Sequence, residues 1–162
     1  MQIVLMRHGL AARQGPWSDT DRPLTAEGEA GIVRLGRLWP RGTPMARIVT
    51  SPARRCHETA LLLAEALGNL PVSVEDTLAM ETPLKVILEG LRQHALGSFV
   101  VVGHAPDLGD MAAALLGADV ALRFECGGAA AFTVDTFPPH QPGRLDWLLT
   151  PDTIAPLDRA AG

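Results

Sequence analysis

Four side chains stand out for chemistry they could share: Arg7 and His8, which arrive together before Gly9, and then Arg55 and His104. Imidazole is the side chain most usable as a nucleophile or base near neutral pH, and guanidinium is the one best shaped for phosphate. Two of each would suit a phosphoryl group, whose negative charge is spread over its oxygens and calls for fixed donors around it. Neighbouring guanidinium charges should keep His8 neutral. A neutral imidazole with one nitrogen fixed by a backbone carbonyl can attack phosphorus in line, and water can then hydrolyse the phosphohistidine. That two-step route needs neither metal nor cofactor. No Walker loop and no dinucleotide fingerprint is present. The carboxylates are too few around the set for a two-metal centre, and a zinc site on His8 and His104 would lack a clear third ligand. His57, His94 and His140 are expected at the surface. Taken singly, each of the four residues has a bland explanation, a satisfied histidine at a strand end or a solvated arginine. Only their convergence argues for a site.

Convergence requires elements that end at one place. The apolar run Ile3–Met6 predicts a short strand buried on both faces, and Ser98–Gly103 predicts a second and stronger one. Each is followed at once by a histidine, so in a parallel sheet His8 and His104 share the carboxyl edge, where open α/β sheets bind ligands. Ala46–Thr50 reads as another strand. Ser51 is the expected cap of the helix that follows, with Pro52 at its first position. On that helix Cys56, Ala60, Leu63 and Leu67 form a core stripe, with Gly68 as its stop. Ser51, Arg55 and Thr59 recur every four residues on another face, which places Arg55 in the first turn, beside free backbone N–H groups. Thr25 predicts a helix cap, with Ile32, Leu35 and Leu38 inward and Pro40 beyond the end. Pro83 and Pro106 open two more helices. Residues 10–24 carry turn residues throughout, and a loop of that length after such a strand is usually functional or mobile. Val72–Val74 reads as a short strand. Beyond Gly117 the pattern changes to alternation, Phe132 and Val134 and then Leu145, Trp147 and Leu149, which predicts a hairpin or edge strands. Phe124, Cys126 and the Gly127–Gly128 pair show no readable motif.

One domain over residues 1–162 is the expectation for this length, with residues 150–162 as a loosely held tail. Hydrophobic residues make up 47% and charged residues 20%, an ordinary globular composition. A net charge of −4 argues against a general nucleic-acid or membrane-surface partner, although a local basic pocket remains compatible with it. The first strand begins almost at Met1, which leaves no room for a secretory signal. Cys56 and Cys126 lack metal or redox spacing. A cytoplasmic protein with reduced cysteines is expected.

Leu5-Met6-Arg7-His8-Gly9, Pro23-Leu24-Thr25 with Glu27-Gly28, Ser51-Pro52 with Arg55 and Thr59, and Val102-Gly103-His104 together resemble the histidine phosphatase superfamily. The likeness spans most of residues 1–117, and the compact length and opening strand look most like its SixA-type phosphohistidine phosphatases. The resemblance implies a three-layer α/β/α sandwich with a mostly parallel central sheet and antiparallel strands near the C-terminus. It also implies His8 as the phospho-accepting nucleophile, with Arg7, Arg55 and His104 completing the phosphate pocket. Arg54 precedes Arg55, and the spacing from Ser51 to Thr59 selects Arg55. Glu81 is the nearest match to the superfamily's proton donor. The implied partner is a phosphohistidine-bearing protein such as a phosphotransfer domain. Hydrolysis of a small sugar or nucleotide phosphate by the same route, and a phosphate-binding module without turnover, are the rival readings.

Overall fold

The computed structural model describes residues 1–40, 42, 44–119, 122–154 and 156. Among them, six strands form one sheet: β1 (Gln2–Arg7), β2 (Arg47–Thr50), β3 (Val72–Val74), β4 (Phe99–Gly103), β5 (Ala129–Thr133) and β6 (Arg144–Leu149), in the order β3-β2-β4-β1-β5-β6. β1 and β2 each run parallel to β4, and β3 runs parallel to β2. β5 then pairs antiparallel with β1, and β6 antiparallel with β5. The expected sandwich with antiparallel strands near the C-terminus is therefore the observed one.

Alternation along β1 divides the core in two. Ile3 and Leu5 face the side covered by α3 (Leu84–Leu91) and α4 (Asp107–Leu116). Val4 and Met6 face the side covered by α1 (Ala26–Arg37) and α2 (Arg54–Ala66). Both faces of β1 and β4 are dry, which is why their sequences read as continuous apolar runs rather than as alternation. Helix boundaries follow local chemistry. Thr25 caps α1 by accepting from Gly28 N at 3.0 Å, and Gly117 closes α4 in the left-handed conformation.

Two expectations are corrected. Helix α2 begins at Arg54, with Ala53 at the cap and no side-chain capping bond. Ser51 lies two residues before that cap: its hydroxyl accepts from Ala53 N at 3.3 Å, in the turn that precedes the helix, and also meets His104 Nε2 at 2.9 Å. His94 is not a surface residue either: its side chain is mostly buried and its Nε2 lies 3.2 Å from Glu75 Oε2. Glu75 is itself buried, and its carboxylate also accepts from Thr77 and Gln93, so these polar groups satisfy one another at the end of β3.

The chain leaves β1 toward α1 on one face and β4 toward α4 on the other. These neighbouring strands thus part at their carboxyl ends and open a crevice there. No helix among the described residues is long and apolar enough to cross a membrane. Residues 151–154 are helical and Ile154 is buried against the α1/α2 face, while residues 157–162 of the expected tail lie outside the described residues.

Candidate active site

The register of β1 against β4 pairs Arg7 with Gly103, so His8 and His104 are the next residues on two adjacent strands. Their rings meet edge to face, with centroids 5.4 Å apart. β2 brings Ser51 to the same edge from the other side of β4, and α2 starts three residues later, swinging Arg55 over the strand ends. Arg7, His8, Arg55 and His104 all line one cavity of about 290 Å³.

His8 is held in a defined state. Its Nδ1 lies 2.8 Å from the Gly9 carbonyl oxygen, so Nδ1 carries the proton and Nε2 keeps its lone pair. Arg55 Nε donates to that Nε2 at 3.2 Å, which only an unprotonated nitrogen can accept. Burial, with the nearby charges of Arg55, Arg7 and Arg22, lowers the His8 pKa to about 4, against an opposing contribution from the Gly9 carbonyl. The backbone around it is braced by Thr59, whose hydroxyl accepts from Gly9 N at 3.0 Å and donates to Arg55 O at 2.7 Å. Gly28 admits this arrangement, since a side chain there would overlap the backbone of Leu10.

Arg55 is 1% exposed and sits at the centre of the set. Besides His8 it reaches the Asp19 backbone oxygen through Nη1 at 2.5 Å, and through Nη2 the Asp19 carboxylate and Met80 Sδ, both at 3.3 Å. The same Nη2 lies 3.4 Å from His104 Nδ1. His104 is also lowered to about 4, by burial first and then by Arg55 and His8. Cys56 lies beside it, but burial pushes its thiol up to about 12, too high for a thiolate at neutral pH. Arg54 points outward and pairs with Glu58 at 2.7 Å, which places the buried guanidinium on Arg55.

Arg7 is held by the stretch that showed no motif. Its Nη1 donates to Phe124 O at 2.9 Å and its backbone N to Gly128 O at 3.0 Å. Gly127 N in turn donates to His8 O at 2.9 Å, from a left-handed backbone (φ 79°) that favours glycine. The Nε of Arg7 is buried without a hydrogen-bond partner among the described residues.

Glu81 is not brought into the set. It is exposed, with a left-handed φ of 66°, and its neighbour Met80 rather than Glu81 lines the cavity. Three charged lining residues carry no signal in the sequence: Arg13, Asp19 and Arg22, all from the loop over residues 10–24. The neck of that loop is closed by pairing of Ala11 with Leu24 and by Ala12 N on Pro23 O at 2.9 Å, and its middle folds back onto Arg55. Turn residues announce the loop but not the direction in which it folds. The arrangement presents several guanidinium donors around an unprotonated imidazole nitrogen that accepts only from Arg55, which is what attack on a phosphoryl group requires.

Comparison with known proteins agrees. A family model for the histidine phosphatase superfamily (branch 1) matches residues 3–82. The chain is 31% identical over 159 residues to the phosphohistidine phosphatase SixA of Escherichia coli K12, covering 93% of this chain and 94% of that one. It is 38% identical over 121 residues to an uncharacterised protein of Picosynechococcus, covering 71% and 73% of the two chains. The solved structure of the protein histidine phosphatase SixA with tungstate superposes with a TM-score of 0.82 at 28% identity, covering 95% of this chain and 99% of that one. With its motifs, fold and near full-length relatives in agreement, the chain is a phosphatase belonging to the histidine phosphatase superfamily, of the SixA-like type.

Proposed function

We propose that the protein removes the phosphoryl group from a phosphohistidine side chain of another protein, with His8 as the transient acceptor and no metal in the step. The observation that carries this reading is the fixed tautomer of His8, with Nδ1 on the Gly9 carbonyl and Nε2 facing Arg55. In the first step Nε2 attacks phosphorus, the bond from phosphorus to the substrate imidazole breaks, and that imidazole leaves with the proton it already carries. In the second step a water oxygen attacks phosphorus, the bond to Nε2 breaks, and the water's proton passes to the departing phosphate or solvent. Arg7, Arg55 and His104, which line the cavity with His8, hold the non-bridging oxygens throughout.

A protein substrate is favoured by kinship rather than by size, since a cavity of about 290 Å³ admits a phosphoryl group carried by a side chain or by a small ester alike. The Escherichia coli relative carries the same activity in its name. Glu81 would enter only for an alkyl ester, whose leaving oxygen needs a proton; a protonated imidazole does not.

The test is turnover of a phosphohistidine protein beside p-nitrophenyl phosphate, for wild type and His8→Ala, with chelator present. Rapid phosphohistidine loss that disappears in His8→Ala, with an acid-labile label trapped on wild type, is expected. Brisk ester hydrolysis with slow phosphohistidine loss would move the assignment to a small-molecule phosphatase. Turnover surviving His8→Ala would displace His8 as nucleophile.

A further inference from the structure

The loop over residues 10–24 carries an acidic group into a pocket otherwise built for anions. Asp19 lies in the cavity wall with Arg7, Arg13, Arg22 and Arg55. Its Oδ1 takes Arg22 Nε at 2.9 Å and Arg22 Nη2 at 2.8 Å, and its Oδ2 takes Arg55 Nη2 at 3.3 Å. These are contacts a phosphoryl oxygen would want. We propose that Asp19 is an internal competitor for phosphate: its carboxylate occupies Arg55 and Arg22 until a phosphoryl group displaces it, then returns and speeds release of inorganic phosphate. The proposal rests on the phosphatase reading of this pocket.

Three observations support an exchange rather than a fixed ion pair. Arg55 is almost wholly buried, and an unpaired buried guanidinium is costly, so something anionic must face it between turnovers. Its bonds are of two kinds: Nη1 to the Asp19 backbone oxygen is short, at 2.5 Å, whereas Nη2 is divided among three partners at 3.3–3.4 Å. The backbone bond can therefore hold the loop in place while the carboxylate moves away. The Asp19 side chain is 55% exposed, so it has solvent to move into. Desolvation is the largest single influence and raises the carboxyl, but the charges and hydrogen bonds of Arg55 and Arg22 together hold it below its usual range, so Asp19 competes as an anion at working pH. A pocket with four arginines, two neutral histidines and no such competitor would hold its product more tightly.

The experiment measures inorganic phosphate binding by titration calorimetry to wild type, Asp19→Asn, Asp19→Ala and Asp21→Asn. Asp21 removes the same charge from the same loop, but it bonds Ser18 and lies outside the cavity wall. Expected is binding about tenfold tighter in both Asp19 variants and unchanged in Asp21→Asn, with stronger product inhibition of turnover. Equal or weaker binding in the Asp19 variants would overturn the proposal and make Asp19 a group that orients Arg55 and Arg22. Equal tightening in Asp21→Asn would overturn it in favour of net charge alone. Binding of phosphate to none of the four would sink the pocket reading and this proposal with it, whereas binding to wild type keeps the two separable.

Discussion

The two buried histidines decide how the protein responds to acid. Each stays neutral in the fold down to about pH 4, while the same side chain in the unfolded chain takes a proton near 6.5. Between those values the unfolded state binds more protons, so stability falls as pH falls. The carboxylates whose pKa is lowered, Glu75 and Asp146 among them, add their loss at lower pH, below their ordinary values of 4.5 and 3.8. Chemical denaturation at pH 7.5 and at 5 should therefore differ by on the order of a few kcal/mol, and His104→Gln should remove a large part of the difference. Identical stability at the two values would show that His8 and His104 gain their protons as easily folded as unfolded. Arg55 supplies a second prediction at this scale. Arg55→Lys keeps a cation but loses the fork that reaches His8, Asp19 and His104 together. A fall of about 100-fold in kcat is expected, in line with removal of one fixed donor to a developing charge. Near wild-type kcat would mean that charge alone suffices.

The elements converge through few contacts, and Thr59 is the clearest of them. It joins α2 to the backbone after His8, through Gly9 N on one side and Arg55 O on the other. Thr59→Ala should cost about 1–3 kcal/mol in stability, the size of a buried donor, here Gly9 N, left without its partner. The same variant should lower kcat by more than that loss explains, because the turn carrying the nucleophile is no longer braced. A KM change with kcat intact would contradict that role. Thr59 could be seen in the sequence because Ser51, Arg55 and Thr59 share helical spacing, as could β1 and β4, whose apolar runs admit little but buried strands. Other parts were hidden for physical reasons. Ser51 has the residue type of a cap, yet its hydroxyl serves a turn before the helix, on Ala53 N, together with His104, and the helix starts later. Phe124, Gly127 and Gly128 act through backbone groups, which carry no signature of residue type beyond the glycine pair. Arg13, Asp19 and Arg22 depend on the path of an irregular loop, and that path is set by its closed neck and by Arg55, both distant in sequence.

At the scale of the whole molecule, the pocket is built where β1, α2 and β4 meet, while β5 and β6 extend the sheet sideways from β1. An anion that bridges the three meeting elements binds the folded chain only, so it should stabilise the whole fold. Phosphate at a hundred times its Kd would add about 2.7 kcal/mol, a rise of roughly 5–10 °C in Tm for a domain of this size. Chloride at matched ionic strength should not reproduce it. Phe132 on β5 tests whether the site is insulated from the antiparallel side. It is fully buried and stands opposite Ile3, about 13 Å along β1 from Arg7. Phe132→Ala should lower stability by about 3–5 kcal/mol through the cavity it leaves. The phosphate increment should nonetheless survive in that variant, because Phe132 touches none of the anion's own donors and changes this far apart add nearly independently, even though Phe124, which holds Arg7, lies in the same core. Loss of the increment in Phe132→Ala, measured by thermal scans with and without phosphate, would mean that the antiparallel strands do more than complete the core: they would set the position of Arg7 and His8 through the full length of β1.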